Sequence, residues 1–299
     1  MLLPLVAALV FGQATSWASG RPPECADPGG HAANVWERAR APELRRYCDL
    51  VASASSKLAG TAAMAESALA SARDADQVLP GHAAPLVLQG RALAALGKLD
   101  EARASLAGAR ARDASALEDP LALLAWARVL ARTGHPDDAI AAYRALLPRA
   151  SAIAATERAS ASVEAGLVTM ARGAAGLDDA VAALREGVRE AQDEAQAIAV
   201  VGLALALDRR GDADESRALL AERSRGDARP AFASPRGKEL LAVAPGEVHA
   251  LTGLALESTD PAGAREAWEQ YVAAAPQGPW VAHARAHLTA LGAGKRKTR

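Results

Sequence analysis

The chain has 299 residues, 51% of them hydrophobic, and 34 basic against 35 acidic side chains leave a formal charge of −1. That apolar share excludes a disordered chain, and the balanced charge argues against a dedicated nucleic-acid binder, which carries a basic excess. Alanine fills 79 positions and aromatics only 3%; alanine loses no side-chain entropy in a helix, and apolar runs of strand type are missing, so an all-α fold is expected.

Residues 1–11, MLLPLVAALVF, form an unbroken apolar run followed by the small residues of ATSWASG. The run falls short of the roughly 20 residues a bilayer span needs and reads as a secretory signal over residues 1–19. No Lys or Arg precedes it, so a frayed apolar N-terminus is the alternative. Export implies a periplasmic or secreted protein. No second segment has membrane length, so no transmembrane span is expected. Cys25 and Cys48 follow closely, and an isolated pair in an exported chain suggests a disulfide; two buried thiols are the alternative. Residues 20–82 thus form a cysteine-containing segment with capping helices, in which Leu44, Tyr47, Leu50, Ala54 and Leu58 keep helical spacing.

Residues 83–223 repeat themselves. GKLDEARASL from Gly97, GHPDDAIAAY from Gly134, AGLDDAVAAL from Ala175 and GDADESRALL from Gly211 share one pattern. Aligned on Ala102, Ala139, Ala180 and Ser216, the copies are 37, 41 and 36 residues apart, the period of a solenoid built from helix pairs. In the first copy Leu86, Gly90 and Leu93 lie on one face of a helix. Gly97 ends it, and Ala102, Leu106 and Ala109 face it from the next helix. The second copy supplies Leu123, Ala127, Leu130, Gly134, Ala139, Tyr143 and Leu146. In the third, Ala180 and Leu184 hold the second helix, and Glu164 falls where a large apolar residue belongs. In the fourth, Ser216 and Arg223 replace alanines. The acids Asp100-Glu101, Asp137-Asp138, Asp178-Asp179 and Asp214-Glu215 open each second helix, where they are expected to cap free N–H groups and meet the helix dipole.

Three prolines and several glycines mark residues 224–246 as a break, either a hinge or a packed insertion, with one short helix near residues 236–243. A fifth copy over residues 247–292 holds Ala255, Ala264, Trp268, Tyr271 and Pro276, with Asp260 as cap, and ends in a capping helix. The basic tail, residues 293–299, is expected to be disordered.

Large, small, large on a first helix, a turn glycine, then alanine, a bulky residue and alanine: this order resembles the tetratricopeptide repeat. The resemblance spans roughly residues 83–276 and implies an α-solenoid of antiparallel helix pairs. Some members of that family clamp a carboxylate tail with a lysine and asparagines. Val87 and Arg91 stand where that clamp would begin, so it is not carried over.

The inner face of such a stack is lined by first helices. The register puts Arg91, Arg128, Arg132, Arg172 and Arg209 there, a row suited to carboxylates. The alternative is that these arginines pair with nearby acids. No phosphate loop, nucleophile elbow or Cys-x-x-Cys is present in the sequence, and no cofactor or catalytic activity is expected. His283 and His287 are spaced i, i+4 without a third ligand nearby in sequence, so no metal is expected. The expected function is an exported, non-catalytic scaffold that binds a protein or peptide, acidic in character, and no nucleic acid. The alternatives are a structural subunit of an envelope assembly and an accessory subunit of an envelope hydrolase.

Overall fold

The computed structural model describes residues 22–25, 35–60, 62–223 and 228–297. The expected signal at residues 1–19 lies outside them. Every regular element among the described residues is helical, and consecutive helices pack as antiparallel pairs, an all-α solenoid. The chain divides into two units, residues 1–122 and 123–299.

The first unit holds α1 (Val35–Leu58), α2 (Ala65–Val78), α3 (Ala83–Ala95) and α4 (Leu99–Arg112), with α1 packed on α2 and α3 on α4. A core of Tyr47, Val51, Ala54, Ala72, Ala75 and Leu88 joins the first three helices. Cys25 and Cys48 are disulfide-bonded. Tyr47 donates a hydrogen bond to Glu24, one residue before Cys25 in the chain. The small position of the repeat is where the sequence places it. A Cβ at Gly90 would stand 2.5 Å from Cγ of Leu106 and 3.2 Å from the Ala102 carbonyl oxygen. Gly97 takes φ +74°, a conformation that favours glycine.

The helix α5 (Pro120–Arg132) leads into the second unit, which continues with α6 (Pro136–Leu146), α7 (Ala155–Ala171), α8 (Leu177–Glu190), α9 (Asp193–Arg210), α10 (Ala213–Arg223), α11 (Arg229–Ala233), α12 (Pro235–Leu241), α13 (Glu247–Leu256), α14 (Pro261–Ala274) and α15 (Val281–Lys297). Leu123, Ala127, Leu130, Ala139, Tyr143, Ala180, Leu184, Ala264 and Trp268 are all buried. The pairs α7–α8, α9–α10 and α13–α14 repeat the contact of α3 with α4.

Three expectations change, and of the two readings of the break the structure matches one. In the third repeat the small residue is Gly166, whose Cβ would lie 2.4 Å from Cγ of Leu184 and 3.1 Å from the Ala180 carbonyl oxygen. A 3₁₀ turn at Ala174–Gly176 lengthens the connection and moves the true register two residues back, so Glu164 is not at the large apolar position. The acids of α4, α6 and α8 sit in the first turn, and no side chain caps those helices. Asp260 does cap, accepting from the Gly263 N–H at 3.0 Å. Of the break at 224–246, residues 228–246 form two short helices with Phe232, Leu240, Leu241 and Val243 buried, a packed insertion. Finally, α15 continues through Lys297 instead of ending in a disordered tail.

The displaced acids have another task. Asp137 and Asp178, the first acid of their pairs, bond Arg172 and Arg210 at the end of the next first helix. Asp179 and Glu215, the second acid, bond Arg144 and Arg185 on the preceding second helix. The partners are 30–35 residues apart, about one repeat. These pairs are largely exposed, worth about 0–1 kcal/mol each.

Candidate functional site

The five arginines do not form one open row. Arg91 belongs to the first unit, half-buried; burial lowers its pKa and Asp119 opposes that. In the second unit Arg128 donates from Nε to both oxygens of Glu164, at 3.1 and 2.9 Å, and pairs with Glu157 at 2.9 Å. Glu164 has no exposed surface and also accepts from the Tyr143 hydroxyl at 3.1 Å. Burial and the Glu164 charge together raise the Tyr143 pKa well above its ordinary value. Arg172 bonds Asp137 with two donors, both at 2.8 Å.

Arg209 is an interior residue. Its side chain has no exposed surface, pairs with Glu247 at 2.6 Å and lies 4.8 Å above the Trp280 ring. Tyr271 sits against the same pair, and burial and the Glu247 carboxylate push its pKa up to about 12. The pairing alternative therefore describes Arg128, Arg172 and Arg209.

The first-helix face of the third and fourth repeats is covered by the chain itself. The two insertion helices rest on α9, and α12 also rests on α7. Arg132 donates to the Glu239 carbonyl oxygen of α12 at 2.9 Å, and Arg236 of α12 donates to Ser160 of α7. Residues 159–170 of α7 and 198–207 of α9 are buried without interruption. The surface expected to take a partner takes residues 228–246 instead.

A second cluster was half visible in the sequence. The i, i+4 spacing puts His283 and His287 on one face of α15, and the fold brings them to Asp208 in the last turn of α9. Oδ2 of Asp208 lies 2.8 Å from Nε2 of His283 and 2.9 Å from Nε2 of His287. The two Nε2 atoms are 3.4 Å apart. On the far side of the His287 ring, Nδ1 is 2.6 Å from Oε1 of Glu257, which also accepts from Trp268 Nε1 at 2.9 Å. The Trp268 ring stacks on His287 with centroids 4.5 Å apart. Trp280, 6.2 Å from His283, anchors the start of α15 by donating to the Met170 carbonyl oxygen at 2.8 Å.

The electrostatics follow from two carboxylates around two imidazoles. For His287 burial disfavours the cation, but hydrogen bonds to Asp208 and Glu257 outweigh it and raise the pKa to about 9. Burial alone would raise the Asp208 pKa, yet the two histidines hold it well below the usual carboxylate range. Among the described residues, Asp208, His283 and His287 are the group whose donor atoms converge closely enough to hold a metal ion. The histidine spacing was the sequence signal. Asp208, 75 residues before His283, carried none.

No family model matches the sequence, and no curated protein matches it either. Two solved structures are similar in part. One is the APC/C hetero-tetramer Cut9–Hcn1, with 16% identity and a TM-score of 0.38, over 83% of this chain and 48% of that one. The other is Naa15/Naa10 bound to HypK-THB, with 15% identity and a TM-score of 0.39, over 84% of this chain and 39% of that one. The chain spans less than half the length of either of these two chains.

Proposed function

We propose that the chain is an exported, non-catalytic scaffold that binds a protein partner on the outer faces of its second helices. The observation that carries this reading is the covering of the first-helix face in the second unit by residues 228–246. The surface left to a partner there is that of α6, α8 and α10, whose exposed arginines and acids recur once per repeat. Such pairs are cheap to open, so a partner with its own alternating charges can exchange with them. Export rests on the apolar run at residues 1–11 and on the Cys25–Cys48 disulfide, which persists in an oxidising compartment.

The test is photo-crosslinking in the native host, with the crosslinker at Arg144 or Arg185 on the outer face and, separately, at Arg132 beside α12. The outer positions should give one partner band that fades as salt rises, and the position beside α12 should give none. Crosslinks from the inner position alone would overturn the choice of face, and none from any position would overturn the scaffold. Export is tested by N-terminal sequencing, expected to begin between about residues 17 and 21, just past an apolar run of signal type.

A further inference from the structure

We propose that Asp208, His283 and His287 bind a divalent transition-metal ion, zinc first among them, in a site of three protein ligands that fastens the last helix to α9. The donors are two imidazole nitrogens and one carboxylate oxygen. That set suits zinc and its neighbours, whereas calcium and magnesium take oxygen ligands.

The geometry fits without rearrangement of the helices. The three donor atoms form a triangle with sides of 2.8, 2.9 and 3.4 Å. Its circumscribed circle has a radius of about 1.8 Å, less than the roughly 2.0–2.2 Å of a zinc bond to imidazole or carboxylate. An ion about 1 Å out of the triangle's plane is therefore at bonding distance from all three donors, with a fourth position left for water. The 3.4 Å nitrogen–nitrogen separation is close to the edge of a tetrahedron around such an ion.

The surroundings supply what a ligand set needs. Glu257 accepts from His287 Nδ1, which fixes the ring and leaves Nε2 as the ligating atom; carboxylates commonly orient metal-bound histidines this way. Trp268 holds Glu257 in turn. Asp208 lies in the last turn of α9, where the helix dipole favours a cation. The side chains of Asp208, His283 and His287 keep 14–19% of their surface exposed, which gives an ion a path in. This inference is independent of the scaffold reading, because it concerns only how the end of the second unit is held.

The experiment uses the full mature chain, oxidised, without an affinity tag and stripped with a chelator. Zinc titration by calorimetry should give one saturable equivalent and a higher melting temperature. Cobalt should give the intense visible absorption of a four-coordinate ion. His283→Gln should abolish stoichiometric binding, Glu257→Gln should weaken it about 10- to 100-fold, and His135→Gln, outside the cluster, should leave it unchanged. The cobalt spectrum of the unaltered protein keeps the test decisive should a variant fail to fold. Weak non-saturating uptake, or one equivalent retained by a folded His283→Gln chain, would overturn the site.

Discussion

Replacing Arg128 with Gln removes the partner of a carboxylate that has no contact with solvent. Glu164 keeps the Tyr143 hydroxyl at 3.1 Å but loses the two bonds from Arg128 Nε. Breaking a buried ion pair from one side costs about 3–5 kcal/mol, because the remaining charge stays desolvated. Glu157, also paired with Arg128, is 35% exposed and turns to water instead. For a unit of 150–250 residues each kcal/mol moves the melting temperature by about 2–4 °C, so the variant should melt about 6–20 °C lower. The double replacement Arg128→Met with Glu164→Gln removes both charges, leaves the buried Tyr143 hydroxyl an acceptor and should recover most of the loss. Thermal melts of the wild type, Arg128→Met, Glu164→Gln and the double variant close the cycle. A loss below about 1 kcal/mol in Arg128→Gln, or a double variant as unstable as the single, would show that the pair does not stabilise the interior as argued. An exposed groove arginine would behave differently, because removing a solvated charge changes stability little.

Gly166→Ala should destabilise by about 1 kcal/mol net, since overpacking against the fully buried Leu184 outweighs the helix preference of alanine; Gly292→Ala, whose Cβ meets nothing, should be neutral or stabilising in the same melts. His287 has a folded pKa of about 9 against an ordinary 6.5, so its contribution is complete below pH 6.5 and lost as pH rises through 9. With chelator present, stability should therefore fall by up to about 1.4 kcal/mol per pH unit in that window, and His287→Gln should flatten the slope in denaturant titrations across pH. Reducing Cys25–Cys48 opens a loop with a sequence separation of 23 and should cost the first unit about 3 kcal/mol on the chain-entropy model, seen as an earlier transition in reductant.

The parts of this fold that depend on local spacing were legible. Gly90, Ala102 and Leu106 meet because i, i+3 and i+4 positions share a helix face, and Gly97 ends a helix because its φ is positive. The register of the third repeat is not legible, because an extra 3₁₀ turn separates Gly173 from α8 and turn length has no signature in alanine-rich sequence. The sequence points the acids at helix caps because position along one helix can be read, whereas a partner one repeat away cannot. Likewise an exposed arginine and one like Arg209, beneath Trp280, look identical until the helix above them is placed. The insertion was recognised as a break by its prolines, but its burial against α7 and α9 depends on contacts far apart in sequence.

Stacked repeats ordinarily interact only with their neighbours, and their unfolding can proceed from one end. The two short helices at Arg229–Leu241 change that arithmetic in the second unit. α12 touches both α7 and α9, and Arg132 at the end of α5 holds its Glu239 carbonyl. Opening any of these three helices therefore breaks contacts with a segment that comes after all of them in the chain. Intermediate states with some repeats folded lose their energetic advantage. Residues 123–297 should accordingly open in native-state hydrogen exchange as one cooperative block, with amides of α7, α9 and α12 sharing a single opening free energy.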